Sequence, residues 1–211
     1  MLNRIKGAIF DLDGVIVDTA KYHYLAWKWL AEQRGIPFTE HDNERLKGVS
    51  RMRSLDIILE IGGLTLPDEE KEEMATRKNE LYLEYIRRMD DSEILPGAKE
   101  YILALKEKGV RIALGSASKN AAFILERVGI GDLFDAVIDG TKVSKAKPDP
   151  EVFLVACESL GLSPEDCAVY EDAAAGVEAA KAAGIYVVGI GTRDVLGEAD
   201  EVVAGLDALA G

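Results

Sequence analysis

The chain has 211 residues, with 25 Lys and Arg against 38 Asp and Glu, and so carries a formal net charge of −13 at neutral pH. Because clustered cations bind phosphate backbones and a net anion is repelled by them, this charge argues against a nucleic-acid-binding protein. A hydrophobic fraction of 48% and a charged fraction of 30% are typical of a folded globular protein and exclude a disordered one.

The first predicted element is a short buried strand from Ile5 to Phe10, which stops at the turn Asp11-Leu12-Asp13-Gly14. Apolar residues then recur at helical spacing, with Leu25, Trp29 and Leu30 in the first helix. Ser50 is the expected N-cap of a later one. The predicted helical segments are 19–34, 51–61 and 68–89, and no strand is predicted between them.

After Pro96-Gly97 the pattern changes to strands that alternate with helices. The predicted order is a helix to Lys108, strand 110–114, a helix to Val128 capped by Ser118, strand 136–138, helix 150–160, strand 168–170, helix 173–183, strand 186–190 and a short edge strand at 202–203. Such alternation predicts an α/β fold, a doubly wound parallel sheet with a Rossmann-like core.

The helical stretch between the first and second strands, roughly residues 19–88, is far too long for one crossover connection. We interpret it as an inserted α-helical cap domain. The predicted division is a catalytic core of residues 1–16 and 92–211, and a cap of residues 17–91.

Two observations favour the cytoplasm. Cys157 and Cys167, the only cysteines, are too few for a disulfide framework and lack zinc-ligand spacing, so they are interpreted as reduced thiols. No apolar stretch approaches the roughly 20 residues of a membrane span, and the first residues lack signal-peptide architecture. We expect a cytoplasmic protein with no membrane partner.

Chemistry-bearing residues follow the predicted strands at the edge where ligands bind in parallel sheets. The first strand ends at Asp11 and Asp13, the second at Ser116, and the fourth at Glu171-Asp172, while Lys147 lies in the loop after the third. Neighbouring carboxylates repel one another, and a divalent cation relieves the repulsion. Oxygen ligands of this kind favour Mg²⁺.

With magnesium present, one Asp can attack phosphorus while the other passes protons to and from an oxygen of the sugar or water. Lys147 and the Ser116 hydroxyl would steady the charge on the transferring group. The alternative for each acid alone is a turn former or a helix cap. No phosphate-binding P-loop is present, Gly189-Ile190-Gly191 is not a dinucleotide fingerprint, and Ser116 is not in a nucleophile elbow.

Together, Asp11-Leu12-Asp13-Gly14-Val15, Ser116, Lys147-Pro148 and Glu171-Asp172 resemble the haloacid dehalogenase superfamily of phosphoryl-transfer enzymes over essentially the whole chain. Further segments resemble the sugar-phosphate mutases of that superfamily: Thr19-Ala20-Lys21-Tyr22-His23 with Trp27, Leu46-Lys47-Gly48-Val49-Ser50-Arg51, Arg77-Lys78-Asn79 and Ser116-Ala117-Ser118-Lys119-Asn120.

The resemblance implies an isomerase that converts β-D-glucose 1-phosphate to glucose 6-phosphate reversibly, through a bound 1,6-bisphosphate and an aspartyl-phosphate enzyme. It implies that Asp11 is phosphorylated and Asp13 is the general acid and base. It implies magnesium held by the Asp11 carboxylate, the Asp13 backbone carbonyl and Asp172, with Glu171 adjacent.

A mutase also needs a second phosphate site for the phosphate that does not react, which the fork of Arg51 and the helix start at Ser118-Lys119-Asn120 can supply. The resemblance places His23 near Asp13 and directs Lys78 at the sugar, whereas Trp27 and Trp29 are expected in the cap core. The residues predicted to bind substrate are His23, Trp27, Gly48, Val49, Ser50, Arg51, Lys78, Ser116, Ala117, Ser118, Lys119, Asn120 and Lys147.

Several alternatives stay open at this point. A magnesium-dependent sugar-phosphate phosphatase of the same fold shares every core residue, and only cap residues such as Arg51, His23 and Lys78 discriminate against it. A strict dehalogenase leaves Asp13 and Asp172 unexplained. A binding module that merely holds magnesium or a sugar phosphate is a further alternative, whereas a receiver-type domain leaves the cap without a purpose. We expect a monomer, because the cap must open and close.

Overall fold

The structure, a computed structural model, describes residues 4–210. A six-stranded parallel sheet runs through it in the order β3-β2-β1-β4-β5-β6. The predicted doubly wound α/β fold is confirmed. The strands are β1 (Gly7–Phe10), β2 (Arg111–Gly115), β3 (Ala136–Ile138), β4 (Cys167–Glu171), β5 (Tyr186–Ile190) and β6 (Glu201–Val203).

Strand β1 lies at the centre of the sheet and is buried along its whole length. It pairs in parallel with β2 on one side and β4 on the other. Because side chains alternate between the two faces, Phe10 packs in one hydrophobic cluster while Ile9 packs in the other. Because β1, β2 and β4 are parallel, their carboxyl ends lie at the same edge of the sheet.

Helices cover both faces of the sheet. On one face β1 packs with Tyr101 and Ile102, and on the other with Val152 and Phe153. The helices of this part are α5 (Ala98–Glu107), α6 (Ala121–Arg127), α7 (Glu151–Leu160) and α8 (Ala174–Ala182).

The predicted helical insertion follows β1, as the sequence indicated, and has a core of its own built around Trp27, Leu30, Ile58 and Met74. The division at residues 17 and 91 stays a prediction. The helices of the insertion, called the cap below, are α1 (Ala20–Glu32), α2 (Glu40–Asn43), α3 (Arg51–Gly62) and α4 (Asp68–Ile86). Among residues 4–210, none of the helices is both long enough and apolar enough to span a membrane.

The two segments that link cap and sheet run side by side. Val17 forms an antiparallel bridge with Ile94. The Asp18 N–H donates to the Glu93 carbonyl, and the Leu95 N–H donates to the carbonyl of residue 16, both at 2.9 Å. The chain thus enters and leaves the cap through one paired hinge.

Two local predictions are wrong. Trp29 is 39% exposed and Leu25 is 44% exposed, whereas Trp27 is buried, because α1 turns its Trp27 side towards the rest of the cap. Ser118 does not cap α6, which begins at Ala121, and its hydroxyl instead accepts a hydrogen bond from the Asn120 N–H.

Candidate active site

Asp11 lies directly after β1, where its backbone N–H continues the sheet pairing by donating to the Tyr170 carbonyl at 2.9 Å. Its buried carboxylate accepts a hydrogen bond from Lys147 Nζ at 2.7 Å. The turn that follows requires Gly14, which has a φ of +79° and where an added Cβ would collide with the Asp172 carboxylate. Because Gly14 has no side chain, the turn that begins at Asp11 can lie directly against Asp172.

Lys147 is fully buried between two carboxylates. It donates to Asp11 and to Glu171, whose second oxygen accepts from the Ala173 N–H at 2.8 Å. Although burial lowers the pKa of Lys147, the Asp11 and Glu171 carboxylates hold it above its ordinary value. Burial raises the pKa of Glu171 to about 7. An added Cβ at Gly176 would overlap the Glu171 carboxylate, so α8 packs directly on this ion pair.

Carboxylate oxygens of Asp11, Glu171 and Asp172 lie within 4.8 Å of one another. Burial, followed by the charges of Glu171 and Asp11, raises the pKa of Asp172 well above its ordinary value. Among residues 4–210 nothing donates a hydrogen bond to the Asp172 carboxylate, and its nearest cation is Lys47 Nζ at 3.8 Å. A compact oxygen set with excess negative charge fits a divalent cation.

Asp13 stands apart from this cluster and faces the cap. Its carboxylate accepts a hydrogen bond from the Thr19 hydroxyl, and His23 Nε2 lies 3.7 Å from the same oxygen. Burial, with a contribution from the charge of Asp11, raises the pKa of Asp13 to about 6. A carboxyl group with a pKa near neutrality can both give and take a proton.

The cap places a lysine and a histidine behind Asp13. Lys78 Nζ lies 2.9 Å from His23 Nδ1 and 4.6 Å from the ring centres of both Trp27 and Tyr82. Burial, followed by the charge of Arg51, lowers the pKa of Lys78 to about 7, and burial lowers the pKa of His23 well below its ordinary value. Since an ammonium group only donates, protonated Lys78 leaves the His23 proton on Nε2, the nitrogen nearer Asp13.

We expect Lys78→Met to stabilise the folded protein by about 1–2 kcal/mol at pH 6, because it removes a buried ammonium that no carboxylate contacts. Between pH 7 and 10.5 the unfolded chain binds a proton that the folded chain does not, so wild-type stability rises with pH across that window. The gain from Lys78→Met should therefore shrink towards pH 10. Urea unfolding of the wild type and of Lys78→Met at pH 6 and pH 9 measures this difference in the free energy of unfolding.

The matched control is Lys99→Met, which removes the same charge from an exposed position on α5. It should change the free energy of unfolding by less than about 0.5 kcal/mol at either pH. A Lys78→Met variant that is equally destabilised at both pH values would contradict the prediction.

The loop after β2 forms the second wall of the site. The Ser116 N–H donates to the Ile138 carbonyl at 2.9 Å, and the Ser116 hydroxyl accepts from the Ser118 N–H at 3.1 Å. The Ser118 hydroxyl in turn accepts from the Asn120 N–H at 3.2 Å. These bonds order the loop, and its residues 116–120 line the same cavity as Asp11.

The start of α3 forms the opposite wall. Ser50 caps this helix as predicted, with its hydroxyl accepting from the Arg53 N–H at 3.2 Å. Arg51 Nη2 donates to Asn79 Oδ1 at 2.8 Å, and Asn120 Nδ2 donates to the same oxygen at 3.1 Å. Cap and sheet are thus in direct contact across the site.

A cavity of about 300 Å³ lies between these walls. Most of the residues predicted for the site line it: Asp11, Asp13, His23, Trp27, Gly48, Val49, Ser50, Arg51, Lys78, Ser116, Ala117, Ser118, Lys119, Asn120 and Asp172. Lys147 and Glu171 do not, because they are buried behind Asp11. Their functional roles stay predictions.

Other lining residues were not predicted. Asn79 and Lys47 each lie inside a segment that carried the resemblance, which is the signal that could have found them. Tyr82 and Asn43 carried no such signal, and neither did the loop 143–146. Their place in the site depends on how the cap and the loop after β3 pack together.

Comparison with known proteins identifies the family. The sequence pattern of the haloacid dehalogenase-like hydrolase family matches residues 5–184. The chain belongs to this family. The predicted superfamily is therefore confirmed, and the acidic cluster occupies the strand edge that the resemblance indicated.

Individual members of the haloacid dehalogenase-like family are similar in sequence to this chain. The chain is 48% identical to the β-phosphoglucomutase of Bacillus subtilis (strain 168), over 94% of this chain and 89% of that protein. It is 33% identical to the phosphorylated carbohydrates phosphatase of Thermotoga maritima, over 86% and 82%. The structure of β-phosphoglucomutase from Clostridium difficile superposes with a TM-score of 0.93 at 43% identity, covering 97% of this chain and 93% of that one.

Proposed function

We propose that the protein is a β-phosphoglucomutase, which interconverts β-D-glucose 1-phosphate and glucose 6-phosphate through β-glucose 1,6-bisphosphate. The observation that carries the proposal is the cavity itself, in which Arg51 of the cap faces the Asp11 side of the sheet edge. A bisphosphate needs positive charge at each end. At the Asp11 end the divalent cation of the acidic cluster would supply it, with the Ser116 hydroxyl as a donor and Lys147 behind Asp11. The 48% identity to the Bacillus subtilis β-phosphoglucomutase supports the same assignment.

Asp11 is the proposed nucleophile. Lys147 binds one of its oxygens at 2.7 Å, which orients the carboxylate. The other oxygen attacks phosphorus, and the bond to the sugar oxygen breaks as the aspartyl phosphate forms. Asp13 protonates the departing sugar oxygen and, in the second half-reaction, accepts the proton of the attacking hydroxyl.

We propose Mg²⁺ as the metal ion, held by Asp11, Asp172 and the backbone carbonyl of Asp13, with Glu171 adjacent. When bound, it would neutralise charge on the transferring phosphoryl group. The support for this ligand set is the all-oxygen cluster and the Asp172 carboxylate that receives no hydrogen bond within residues 4–210. Glu171 has both oxygens engaged by Lys147 and Ala173, so its first role is to hold Lys147 in place.

Arg51→Ala tests the second phosphate site. We expect it to reduce the rate of sugar phosphate conversion by about 100-fold or more, because a bidentate Arg–phosphate contact contributes a few kcal/mol in a water-excluded site. Hydrolysis of p-nitrophenyl phosphate, which has no second phosphate, should change by less than about threefold. Steady-state kinetics on both substrates measure the difference.

Arg53→Ala is the matched control, because Arg53 lies on the same helix, is half exposed and pairs with Glu60 on the surface. It should leave both activities near those of the wild type. Equal losses on the two substrates for Arg51→Ala would remove the case for a second phosphate site.

The second candidate function is a sugar-phosphate phosphatase, which the 33% identity to the Thermotoga maritima phosphatase favours. Phosphorus NMR of the protein with magnesium, β-glucose 1-phosphate and a trace of the 1,6-bisphosphate separates the two. Conversion to glucose 6-phosphate without free phosphate supports the mutase. Dominant release of inorganic phosphate supports the phosphatase and rejects the mutase.

We also propose that the protein works in the cytoplasm as a monomer. Sugar phosphates are charged and do not cross lipid without a carrier, so their conversion belongs where they are made. The exposed pair Leu25 and Trp29 on α1 is the surface at which a second copy would most easily bind. Light scattering at micromolar concentration tests the monomer, and a dimer mass would contradict it.

A further inference from the structure

One atom of the cap joins three elements around the cavity. Asn79 Oδ1 accepts from Arg51 Nη2 at 2.8 Å and from Asn120 Nδ2 at 3.1 Å. Since a guanidinium group only donates, the Asn79 atom that faces Arg51 must be the amide oxygen. The start of α3, the middle of α4 and the residue before α6 thus meet at a single neutral acceptor.

The neutrality of this acceptor matters for Arg51. Among residues 4–210, no carboxylate lies within ion-pair distance of the Arg51 guanidinium, whereas neighbouring Arg53 pairs with Glu60 at 2.8 Å. An aspartate at position 79 would present acceptor oxygens of nearly the same shape, but its charge would cancel that of the guanidinium. An asparagine orients Arg51 and leaves its charge for an anionic ligand.

We propose that Asn79 is a positioning residue for the second phosphate, which aims Arg51 and Asn120 into the cavity while leaving the guanidinium charge uncompensated. The inference rests on the proposed function, because a mutase needs this end of the cavity for the phosphate group that is not being transferred. Asn120 belongs to the sheet side and Arg51 to the cap, so the second phosphate site is complete only while the cap lies against the sheet. Asn79 thereby links cap closure to the assembly of that site.

The experiment compares Asn79→Asp, Asn79→Gln and Asn79→Ala in the full-length protein with magnesium. Steady-state kinetics are measured by varying β-glucose 1,6-bisphosphate at a fixed, saturating concentration of β-glucose 1-phosphate, which accepts the phosphoryl group from Asp11, and, separately, with p-nitrophenyl phosphate. We expect Asn79→Asp to raise the KM for the bisphosphate about tenfold or more, and to change kcat/KM for p-nitrophenyl phosphate by less than about threefold. Asn79→Gln, which is larger but neutral, should stay closer to wild type than Asn79→Asp.

The control for added charge is Thr76→Asp, which places the same charge one turn away on the exposed side of α4. It should leave both KM values unchanged. Thermal melts followed by circular dichroism establish that each variant is folded, and if Asn79→Asp does not fold, a rise in the bisphosphate KM in Asn79→Ala that Asn79→Gln partly reverses carries the same test.

Two results would overturn the inference: an unchanged bisphosphate KM in Asn79→Asp, or equal losses on the two substrates. Failure of the proposed function is seen separately, in the wild type, as release of inorganic phosphate from the bisphosphate without sugar phosphate conversion. The bisphosphate KM remains measurable in that case, so the role of Asn79 is decided either way.

Discussion

Asp11→Asn should lower turnover of sugar phosphates by at least about 10⁴-fold while leaving the fold intact. The amide nitrogen has no lone pair available for attack on phosphorus, so no phosphorylated enzyme can form. The variant keeps the shape of the side chain and one oxygen that can accept from Lys147, so the surrounding packing is retained. Intact-protein mass spectrometry after incubation with β-glucose 1,6-bisphosphate should show a phosphorylated wild type and an unmodified variant.

Asp166→Asn is the matched control. It makes the same chemical change beside the opposite end of β4, where Asp166 pairs with Lys6 at 3.1 Å. It should retain wild-type turnover and phosphorylation. Substantial activity in Asp11→Asn would reject the carboxylate mechanism.

Lys147→Met should destabilise the metal-free protein by about 3–5 kcal/mol at pH 8, because it leaves the buried carboxylates of Asp11 and Glu171 without their cation. The loss should be smaller at pH 5. Lys147 lowers the pKa of Glu171, so its removal extends to higher pH the range in which folded Glu171 stays protonated. In that range stability falls as pH rises, which puts the extra loss above about pH 7.

Urea unfolding in EDTA at pH 5 and pH 8 measures the effect. The double variant Lys147→Met with Glu171→Gln should regain part of the stability, since it removes one of the two unpaired charges. Addition of magnesium should also stabilise Lys147→Met, because a cation at the cluster replaces part of the missing charge. A loss that is independent of pH would show that lost packing, including the contact with Phe153, accounts for it.

The sheet could be predicted because its strands are short apolar runs bounded by turn residues. Strand β5 spans Tyr186–Ile190 as predicted, and β1 starts at Gly7 instead of Ile5. The buried face of α1 could not be predicted in the same way. Trp27 and Trp29 lie on opposite sides of a helix, and only the packing of the cap decides which of them is buried.

The acidic half of the site could be predicted from one rule, that the carboxyl ends of neighbouring parallel strands meet. Asp11 follows β1, while Glu171 is the last residue of β4 and Asp172 comes directly after it. The two strands are paired, and the three carboxylates lie together. The role of Asn79 could not be predicted, because its two partners are on α3 and before α6, and no spacing along the chain relates them. Contacts made by cap closure are visible only in the folded molecule.

The paired hinge at Val17 and Ile94 limits how the cap can move. Two neighbouring segments joined by hydrogen bonds can flex together about a line, but they cannot let the cap slide or lift away without breaking those bonds. The cap is attached to the sheet domain along one edge, by the two paired segments. Rotation of the cap about this line would open the cavity on the side away from the hinge, so the path by which a sugar phosphate leaves would also admit water.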